Sequence, residues 1–328
     1  MKMDTAVILA ARKEKDSEIP YPLRPYAKDE CLIDRTLQIL RGVGYSHILL
    51  VVGYRAELFD KYNSDDVTVI QNKDFEFTSS MGSLALVADM VNDDFLLLEG
   101  DTFYEKELVE QLTSSPYSLC LAMTEETGSG DECYVETKLD FVSKITKDRH
   151  RVCNVEGELI GAMKLSKEVY NRMLSLYARS SNPYLNYEYL LMDVTETIER
   201  PVIRFRNLIW GDVDTQEDFR KLKNVTYRTL RKKEDPFDED NLIHYLHQIF
   251  PEDNLDDVDI IQIGGMSNKN FKVIFHGKEY VLRVPGNGSE GMVDRMNEEF
   301  NAIEGCKMGV NPTIRYFNPL NGVKLADF

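Results

Sequence analysis

The feature that most restricts the fold is an alternation, over about residues 6–120, of short apolar runs with segments of helical periodicity. The runs are rich in β-branched residues and leucine, as strands buried on both faces are. Strands that alternate with helices in this way indicate an α/β fold built on a doubly wound, mostly parallel sheet. The strand-like runs are AVILAA, HILLVVGY, VTVIQN, DFLLLEGD and SLCLAM, and the helical segments are LIDRTLQILRGVG, AELFDKY, SLALVADMV and KELVEQL.

The pattern changes at residue 124. The segment TEETGSGDECYVETKLDFVSKITKD predicts a glycine-containing loop followed by hairpins, which we expect to lie over the carboxyl edge of the sheet as a lid. Helices are predicted over residues 167–178 and 184–198, a strand at VIRFRN, and a helix from residue 215 to about residue 230.

A charged segment divides the chain. With 328 residues the chain suits two domains, and RKKEDPFDED, residues 231–240, has no apolar periodicity around its single proline. We therefore expect domains at 1–232 and 241–328, joined by a linker at 233–240. In the second, a helix at 241–250 precedes DIIQIGG, NFKVIFHG and KEYVLRVPG, whose intervening turns are typical of an antiparallel sheet, and a helix follows over about 290–308. A small α+β domain is predicted.

Charge and cysteine usage restrict partners and compartment. The 39 Lys and Arg against 56 Asp and Glu give a formal charge of -17, which argues against nucleic acid as the main partner. The five cysteines are scattered without CxxC spacing, so neither a disulfide framework nor a zinc site is predicted. No apolar run approaches the length of a membrane span. We expect a cytoplasmic protein with no membrane insertion.

Two acidic sites are candidates for a metal centre. The apolar run FLLLE ends at Gly100-Asp101, and open α/β sheets bind ligands beyond the carboxyl ends of their strands. A second cluster, GDVDT at residues 211–215, precedes a predicted helix, so Asp101 and Asp214 are candidates to share a divalent cation such as Mg²⁺. The alternatives are a turn residue at the end of a strand for Asp101 and a helix N-cap for Asp214.

The order of these landmarks resembles a family. AVILAA, CLIDRTLQIL, VVGY, an Asn followed by aromatics and Ser-Leu over residues 72–84, LEGD and a late DVDT are similar to the nucleotidyltransferases that make NDP-sugars and CDP-alcohols. The bacterial CTP:phosphocholine cytidylyltransferases are the most similar branch. The resemblance covers residues 3–230. It implies that Asp101 and Asp214 hold Mg²⁺ between the α- and β-phosphates of CTP while phosphocholine attacks the α-phosphorus and pyrophosphate leaves.

The first loop departs from the family pattern. The family has a glycine-rich loop with a basic end here, whereas this chain has LAARKEKDSEIPYPLRP without a glycine. Glycine allows backbone N–H groups to approach phosphate closely, so this loop must take another path or bind triphosphate less well. Arg12 and Arg24 are candidates to supply the positive charge; a solvated loop of mixed charge is the alternative. The resemblance also places Ala10, Ala11 and Ser83 beside the nucleotide, and for Ser83 a helix N-cap is the alternative.

A choline headgroup requires aromatic faces and a carboxylate, because a quaternary ammonium cannot donate N–H hydrogen bonds. Tyr187-Glu188, in NPYLNYEYLLMD, occurs where the phosphocholine enzymes carry an aromatic residue followed by an acid. Tyr134, in the predicted lid, is a candidate to close the cage. The alternative is an amphipathic helix whose tyrosines lie half in the core.

The second domain resembles the N-lobe of a choline kinase of the aminoglycoside-phosphotransferase-like class. The resemblance rests on IGGMSNKNFKVIFHGKEYVLRVPG followed by EGMVDRMNEEFNA, over residues 257–328. It implies a loop that covers ATP phosphates and an Arg283–Glu298 ion pair that holds them, with an ordinary turn and a structural ion pair as the alternatives. The loop residues are Gly264, Gly265, Ser267 and Asn268. No catalytic series of a kinase C-lobe follows, so we do not expect this chain alone to phosphorylate choline.

Three functions are compatible with the sequence. The favoured one is a Mg²⁺-dependent cytidylyltransferase that makes CDP-choline and pyrophosphate from CTP and phosphocholine, fused to a kinase lobe where ATP binding is possible. The second is a domain that binds nucleotide or phosphocholine with impaired turnover, as the glycine-free loop allows. The third is nucleotidyl transfer to another small phosphorylated acceptor, such as a sugar phosphate or an aminoalkylphosphonate.

Overall fold

The computed structural model describes residues 3–14, 16–28, 30–130, 132–255, 257–265, 268–286 and 294–328. It contains two compact units, Met1–Thr226 and Tyr227–Phe328. The predicted linker 233–240 lies inside the second unit and includes the end of the helix Tyr227–Glu234 and the start of the helix Glu239–Ile249. No helix among the described residues is long and apolar enough to cross a membrane.

The first unit is a mixed α/β layer structure. Its strands are β1 Thr5–Ala10, β2 His47–Val52, β3 Val67–Gln71, β4 Phe95–Glu99, β5 Thr102–Tyr104, β6 Cys120–Thr124, β7 Tyr134–Lys138, β8 Phe141–Thr146, β9 Gly157–Leu165, β10 Val202–Phe205 and β11 Trp210–Asp212. Its α-helices are α1 Leu32–Val43, α2 Ser80–Ala85, α3 Lys106–Ser114, α4 Lys167–Tyr177, α5 Tyr187–Val194 and α6 Gln216–Lys221. A π-helical segment, Leu222–Thr226, follows α6.

The main sheet of this unit has the strand order β10-β6-β9-β4-β1-β2-β3, with β7 and β8 attached beside β9. The pairs β10–β6, β4–β1, β1–β2 and β2–β3 are parallel, which confirms the predicted doubly wound sheet. β9 is antiparallel to both β4 and β6 and separates them. Its sequence, GELIGAMKL, was not predicted as a strand.

Alternate residues of the buried strands pack on opposite faces of the sheet. Ile8 and Leu98 belong to the apolar cluster on the face covered by α1 and α3, and Val7 and Leu97 to the cluster on the face covered by α2, α4 and α5. All four side chains are at most 1% exposed. Burial on both faces removes apolar surface from water and stabilises the fold by about 25 cal/mol per Å². A shift in strand pairing would lose this burial, so it fixes the register of the central strands.

The second unit is an antiparallel sheet with helices, in agreement with its predicted α+β class. The sheet has the order β12-β13-β14-β16-β15. Leu282 and Leu325 on the sheet pack with Leu246 of a helix, all fully buried. The elements are α7 Tyr227–Glu234, α8 Glu239–Ile249, β12 Asp259–Gly264, β13 Asn268–Phe275, β14 Lys278–Pro285, α9 Arg295–Lys307, β15 Ile314–Phe317 and β16 Lys324–Asp327.

Candidate functional site

A short antiparallel ribbon brings the two predicted acidic sites together. β11 pairs with β5 so that Asp212 lies opposite Thr102, and the Val213 N–H donates to the Asp101 carbonyl at 3.0 Å. Thr102 Oγ1 also donates to Asp212 Oδ1 at 2.7 Å. This pairing places Asp214 beside Asp101 at the carboxyl end of β4, although more than a hundred residues separate them in sequence.

The side chain of Arg12 contacts both aspartates. Its Nη2 donates to Asp214 Oδ1, and its Nη1 lies 3.9 Å from Asp101 Oδ2. The carboxylates are largely buried, with side chains 19% and 27% exposed, whereas the Arg12 side chain is 50% exposed. The two acids, which are distant in sequence, thus meet at one guanidinium.

The ligand set fits Mg²⁺ bound together with a substrate. Within the part of the chain that the structure describes, no group of three or more His, Cys, Asp or Glu side chains has a metal-binding arrangement. Mg²⁺ commonly takes one or two carboxylates from the protein and its remaining ligands from water and phosphate oxygens. Asp101 and Asp214 are the two carboxylates of this site that could hold such an ion.

The cap of α6 leaves the Asp214 carboxylate available for this role. The N-cap of α6 is Thr215, whose hydroxyl accepts from the Asp218 N–H at 3.2 Å, and Asp218 accepts in return from the Thr215 N–H at 2.9 Å. The alternative in which Asp214 caps the helix is therefore wrong. Burial raises the pKa of Asp101 to about 6, against the opposing effect of Arg12.

The glycine-free loop packs against the start of α6. Asp16 accepts from the Tyr21 hydroxyl at 2.8 Å and from the Gln216 N–H at 3.0 Å. Arg24 donates to the Gln216 side chain, and its guanidinium lies 4.3 Å from the centre of the Phe219 ring. Arg24 is thus fixed against the first turns of α6, and neither of these contacts is with the acidic pair.

Glycines outside the loop allow the tight packing at the end of β1. A Cβ on Gly100 would lie 2.8 Å from the Ala10 Cβ, and one on Gly53 would lie 2.4 Å from the Ala11 carbonyl oxygen. Ala10 and Ala11 are 7% and 9% exposed. These two glycines therefore allow β1 to pack closely against the segments that follow β2 and β4.

Ser83 lies inside α2 rather than at its start, because the helix begins at Ser80. Its hydroxyl is 5% exposed and accepts from the Asn72 amide at 3.0 Å. The N-cap alternative for Ser83 is therefore wrong, and a direct contact of this hydroxyl with nucleotide stays a prediction.

Beside the aspartates lies a pair of glutamates, Glu99, which is partly buried, and Glu188, which is buried. The Tyr187 hydroxyl donates to Glu99 Oε1 at 2.9 Å. Glu188 is 9% exposed, and its Oε2 has no hydrogen-bond partner. Burial, reinforced by the Glu188 charge, raises the pKa of Glu99 to about 7, and burial also raises the pKa of Glu188; the Lys147 ammonium opposes both shifts.

The predicted aromatic cage is not formed by these residues in the structure. The Tyr187 side chain is packed in the core at 1% exposure, so its hydroxyl, and not its ring face, is directed to the site. The Tyr134 hydroxyl donates to Glu132 at 3.0 Å, and Arg149 lies 4.9 Å from its ring centre. Neither contact of Tyr134 involves Tyr187 or Glu188.

Sequence reasoning did not select Glu99 or Lys147. The signal for Glu99 was an acidic residue that ends the apolar run FLLLE, where every other side chain is buried. No local signal singles out Lys147, because it lies in an exposed segment after β8 and acts on Glu99 only through the tertiary structure.

The predicted kinase-lobe residues lie in the second unit. Arg283 on β14 donates to Glu298 on α9 and, through Nη2, to the Gly322 carbonyl at 3.0 Å. Asn268 begins β13, and Gly265 has a positive φ of 113°. Ser267 lies outside the described residues.

This arrangement agrees with the comparisons to known proteins. Residues 6–149 match the family model described as MobA-like NTP transferase domain. The matched residues include Glu99 at the end of β4 and the positions that follow β1 and β4, Arg12 and Asp101, and the predicted nucleotidyltransferase fold is confirmed.

Relatives and solved structures extend the likeness. The CMP-5'-(3-aminopropyl)phosphonate synthase of Streptomyces rubellomurinus is 32% identical over 127 residues, which are 36% of this chain and 20% of that protein. The inositol-1-phosphate CTP transferase of T. maritima has a TM-score of 0.57 at 22% identity, over 69% of this chain and 98% of its own. The CTP:phosphocholine cytidylyltransferase of Streptococcus pneumoniae has a TM-score of 0.55 at 17% identity, over 69% and 99%. The chain spans about a fifth to a quarter of the first curated relatives it matches.

Proposed function

We propose that the first unit transfers a cytidylyl group from CTP to a small phosphorylated acceptor, with phosphocholine as the acceptor predicted from the sequence. The observation that carries the proposal is the contact of Arg12 with both Asp101 and Asp214 at the carboxyl end of β4. The CTP transferases among the similar structures support cytidine as the base.

In this reaction an oxygen of the acceptor phosphate attacks the α-phosphorus of CTP. The new P–O bond forms as the bond between the α-phosphorus and the bridging oxygen breaks, and that oxygen leaves with its electron pair as pyrophosphate. Mg²⁺, when bound, would neutralise charge on the α- and β-phosphates. Asp101 and Asp214 would hold it, and Arg12 would place a planar guanidinium on the remaining phosphate oxygens. The protein contributes mainly position and charge.

Arg24 is the second cation of the proposal. Its hydrogen bond to Gln216 and its position over Phe219 hold the guanidinium near the start of α6 before substrate binds. A cation fixed in advance loses little conformational freedom when it meets a triphosphate. We assign Arg24 to binding the leaving pyrophosphate rather than to contacting the proposed metal ligands, Asp101 and Asp214.

The two acids beside Asp101 and Asp214 support one class of acceptor. Glu99 and Glu188 favour a cationic headgroup, as in phosphocholine, over a neutral sugar phosphate. The name of the Streptomyces relative supports an aminoalkylphosphonate as the alternative acceptor. A domain that binds CTP without turning it over is the remaining alternative.

For the second unit we propose binding of ATP phosphates at Arg283. The ion pair that supports this joins a strand to a helix, as a kinase N-lobe requires, and Arg295 Nη1 donates to the same Glu298 at 2.7 Å.

Release of pyrophosphate from CTP in the presence of Mg²⁺ and phosphocholine tests the first proposal. Asp101→Asn and Asp214→Asn should each lower kcat/KM by about 10²–10³-fold, the usual effect of removing one electrostatic stabiliser. Asp65→Asn, at an exposed position, is the matched control. Full activity of either variant at unchanged Mg²⁺ dependence would contradict the assignment. CTP binding without pyrophosphate release for any acceptor would favour the non-catalytic alternative.

A further inference from the structure

The Glu99–Glu188 pair has one oxygen that the protein does not satisfy. Glu188 is 9% exposed, and its Oε2 atom is buried and accepts no hydrogen bond. Glu99 is better paired, since Oε1 accepts from the Tyr187 hydroxyl. A buried carboxylate oxygen without a donor is unfavourable unless a ligand supplies the donor.

The position of the Glu99 carboxylate depends on a glycine of the neighbouring strand. Gly161 of β9 lies opposite Glu99, and a Cβ there would come within 2.7 Å of Glu99 Oε2. Any larger residue would displace this carboxylate. The glycine therefore allows Glu99 to occupy the place where it influences Glu188 electrostatically.

The cations near the pair are either shared by the two glutamates or already engaged. Lys147 is the cation that acts on both glutamates, and Arg12, which also acts on Glu99, is engaged with Asp101 and Asp214. A ligand cation that donates hydrogen bonds would both offset the charge and satisfy Glu188 Oε2.

The aromatic environment argues against a quaternary ammonium. Such a cation carries no N–H and is bound over the faces of aromatic rings. The Tyr187 ring, whose hydroxyl contacts Glu99, is 1% exposed and offers no open face to a ligand. A primary ammonium has three donors and matches carboxylate oxygens directly.

We propose that Glu99 and Glu188 bind a primary ammonium group of the acceptor, so that the substrate is an aminoalkyl phosphate or phosphonate rather than a quaternary ammonium ester. This rests on the proposed function. Glu99 and Asp101 are two residues apart on an extended chain, about 7 Å along the backbone. A linker of a few carbon atoms would span the distance from the ammonium at Glu99 to the phosphate beside Asp101.

A methylation series on one acceptor tests the proposal with the unaltered protein. Pyrophosphate release is measured with CTP, Mg²⁺ and phosphoethanolamine, its N-methyl and N,N-dimethyl derivatives, and phosphocholine. The positive charge is kept while N–H donors are removed one at a time. We expect kcat/KM to fall along the series, by at least tenfold from the first to the last member. Equal or better use of phosphocholine would overturn the proposal and leave the proposed cytidylyltransferase intact.

A variant that removes the charge of Glu188 tests whether the glutamate pair causes the preference among acceptors. Glu188→Gln should raise the KM for phosphoethanolamine by about 10–100-fold and leave the KM for CTP unchanged. Glu168→Gln, at an exposed position on α4, is the matched control. Equal changes in both KM values would refute an acceptor-specific role.

Binding measured without turnover separates the two proposals. If no acceptor releases pyrophosphate, the proposed function fails. Calorimetric titration of phosphoethanolamine and phosphocholine in the presence of CTP then still tests the pair. Tighter binding of phosphoethanolamine supports the ammonium site, whereas tighter or equal binding of phosphocholine rejects it.

Discussion

Replacement of Arg12 by Gln should strengthen metal binding in the absence of nucleotide and weaken catalysis. The wild-type guanidinium occupies the space between Asp101 and Asp214, so a metal ion that binds alone must displace it. With nucleotide present, the same guanidinium would be lost from the phosphates. The two effects have opposite signs, which separates this explanation from a general loss of structure.

The size of the effect follows from the geometry. A unit charge 3.9 Å from Asp101 gives about 4 kcal/mol at an effective dielectric constant of about 20. Because Arg12 is half exposed, solvent screening reduces the net value to about 1–2 kcal/mol. At about 1.4 kcal/mol for each tenfold, Mn²⁺ alone should bind roughly 5–30-fold more tightly to the Arg12→Gln protein.

The measurement is Mn²⁺ binding followed by electron paramagnetic resonance of the free ion, with pyrophosphate release measured in parallel. Lys13→Gln is the matched control, since it removes the same charge from the adjacent residue but pairs with Glu76 at 2.6 Å and not with the aspartates. Unchanged or weaker Mn²⁺ binding by Arg12→Gln, or an equal gain in Lys13→Gln, would refute the reasoning.

Two further predictions concern stability. Burial raises the pKa of Asp101 to about 6 and of Glu99 to about 7, above unfolded values near 4, so their contribution to metal-free stability is complete below about pH 4 and is lost as pH rises to about 7. Urea unfolding across this range should show a smaller loss for Asp101→Asn than for wild type, and equal slopes would contradict the assignment. In the second unit, Arg283→Gln should cost about 1–3 kcal/mol, since Glu298 loses a partly buried charged partner. Hydrogen exchange in β13 measures this loss of stability. Arg315→Gln breaks an exposed ion pair with Asp327, and an equal loss in that variant would show that the burial argument is wrong.

Much of the first unit could be predicted because its strands are short apolar runs. The runs at β1, β2, β4 and β6 were identified. These strands are buried on both faces, which is why their sequences are continuous apolar runs. β9 was missed, although it lies between β4 and β6, because its pairing is long-range and its two glycines weaken the strand pattern. The predicted parallel order therefore lacked its antiparallel member.

The candidate site was predictable only in part. Asp101 was found because an apolar run ends there, and Asp214 because an acidic cluster precedes a helix. The role of Tyr187 could not be predicted, since helical periodicity indicates that a residue faces inward but not which residue it meets. Only packing of α5 against β4 places its hydroxyl on Glu99.

The sequence by itself determined where most strands of the first unit lie, which acid follows the central strand, and that the loop after the first strand contains no glycine. These are local properties, set by a few consecutive residues. The tertiary structure decided that β5 and β11 pair, that Arg12 meets both aspartates, and that two glutamates share a buried position. Contacts between residues about a hundred positions apart depend on the register and packing of the whole sheet, and no short segment encodes them.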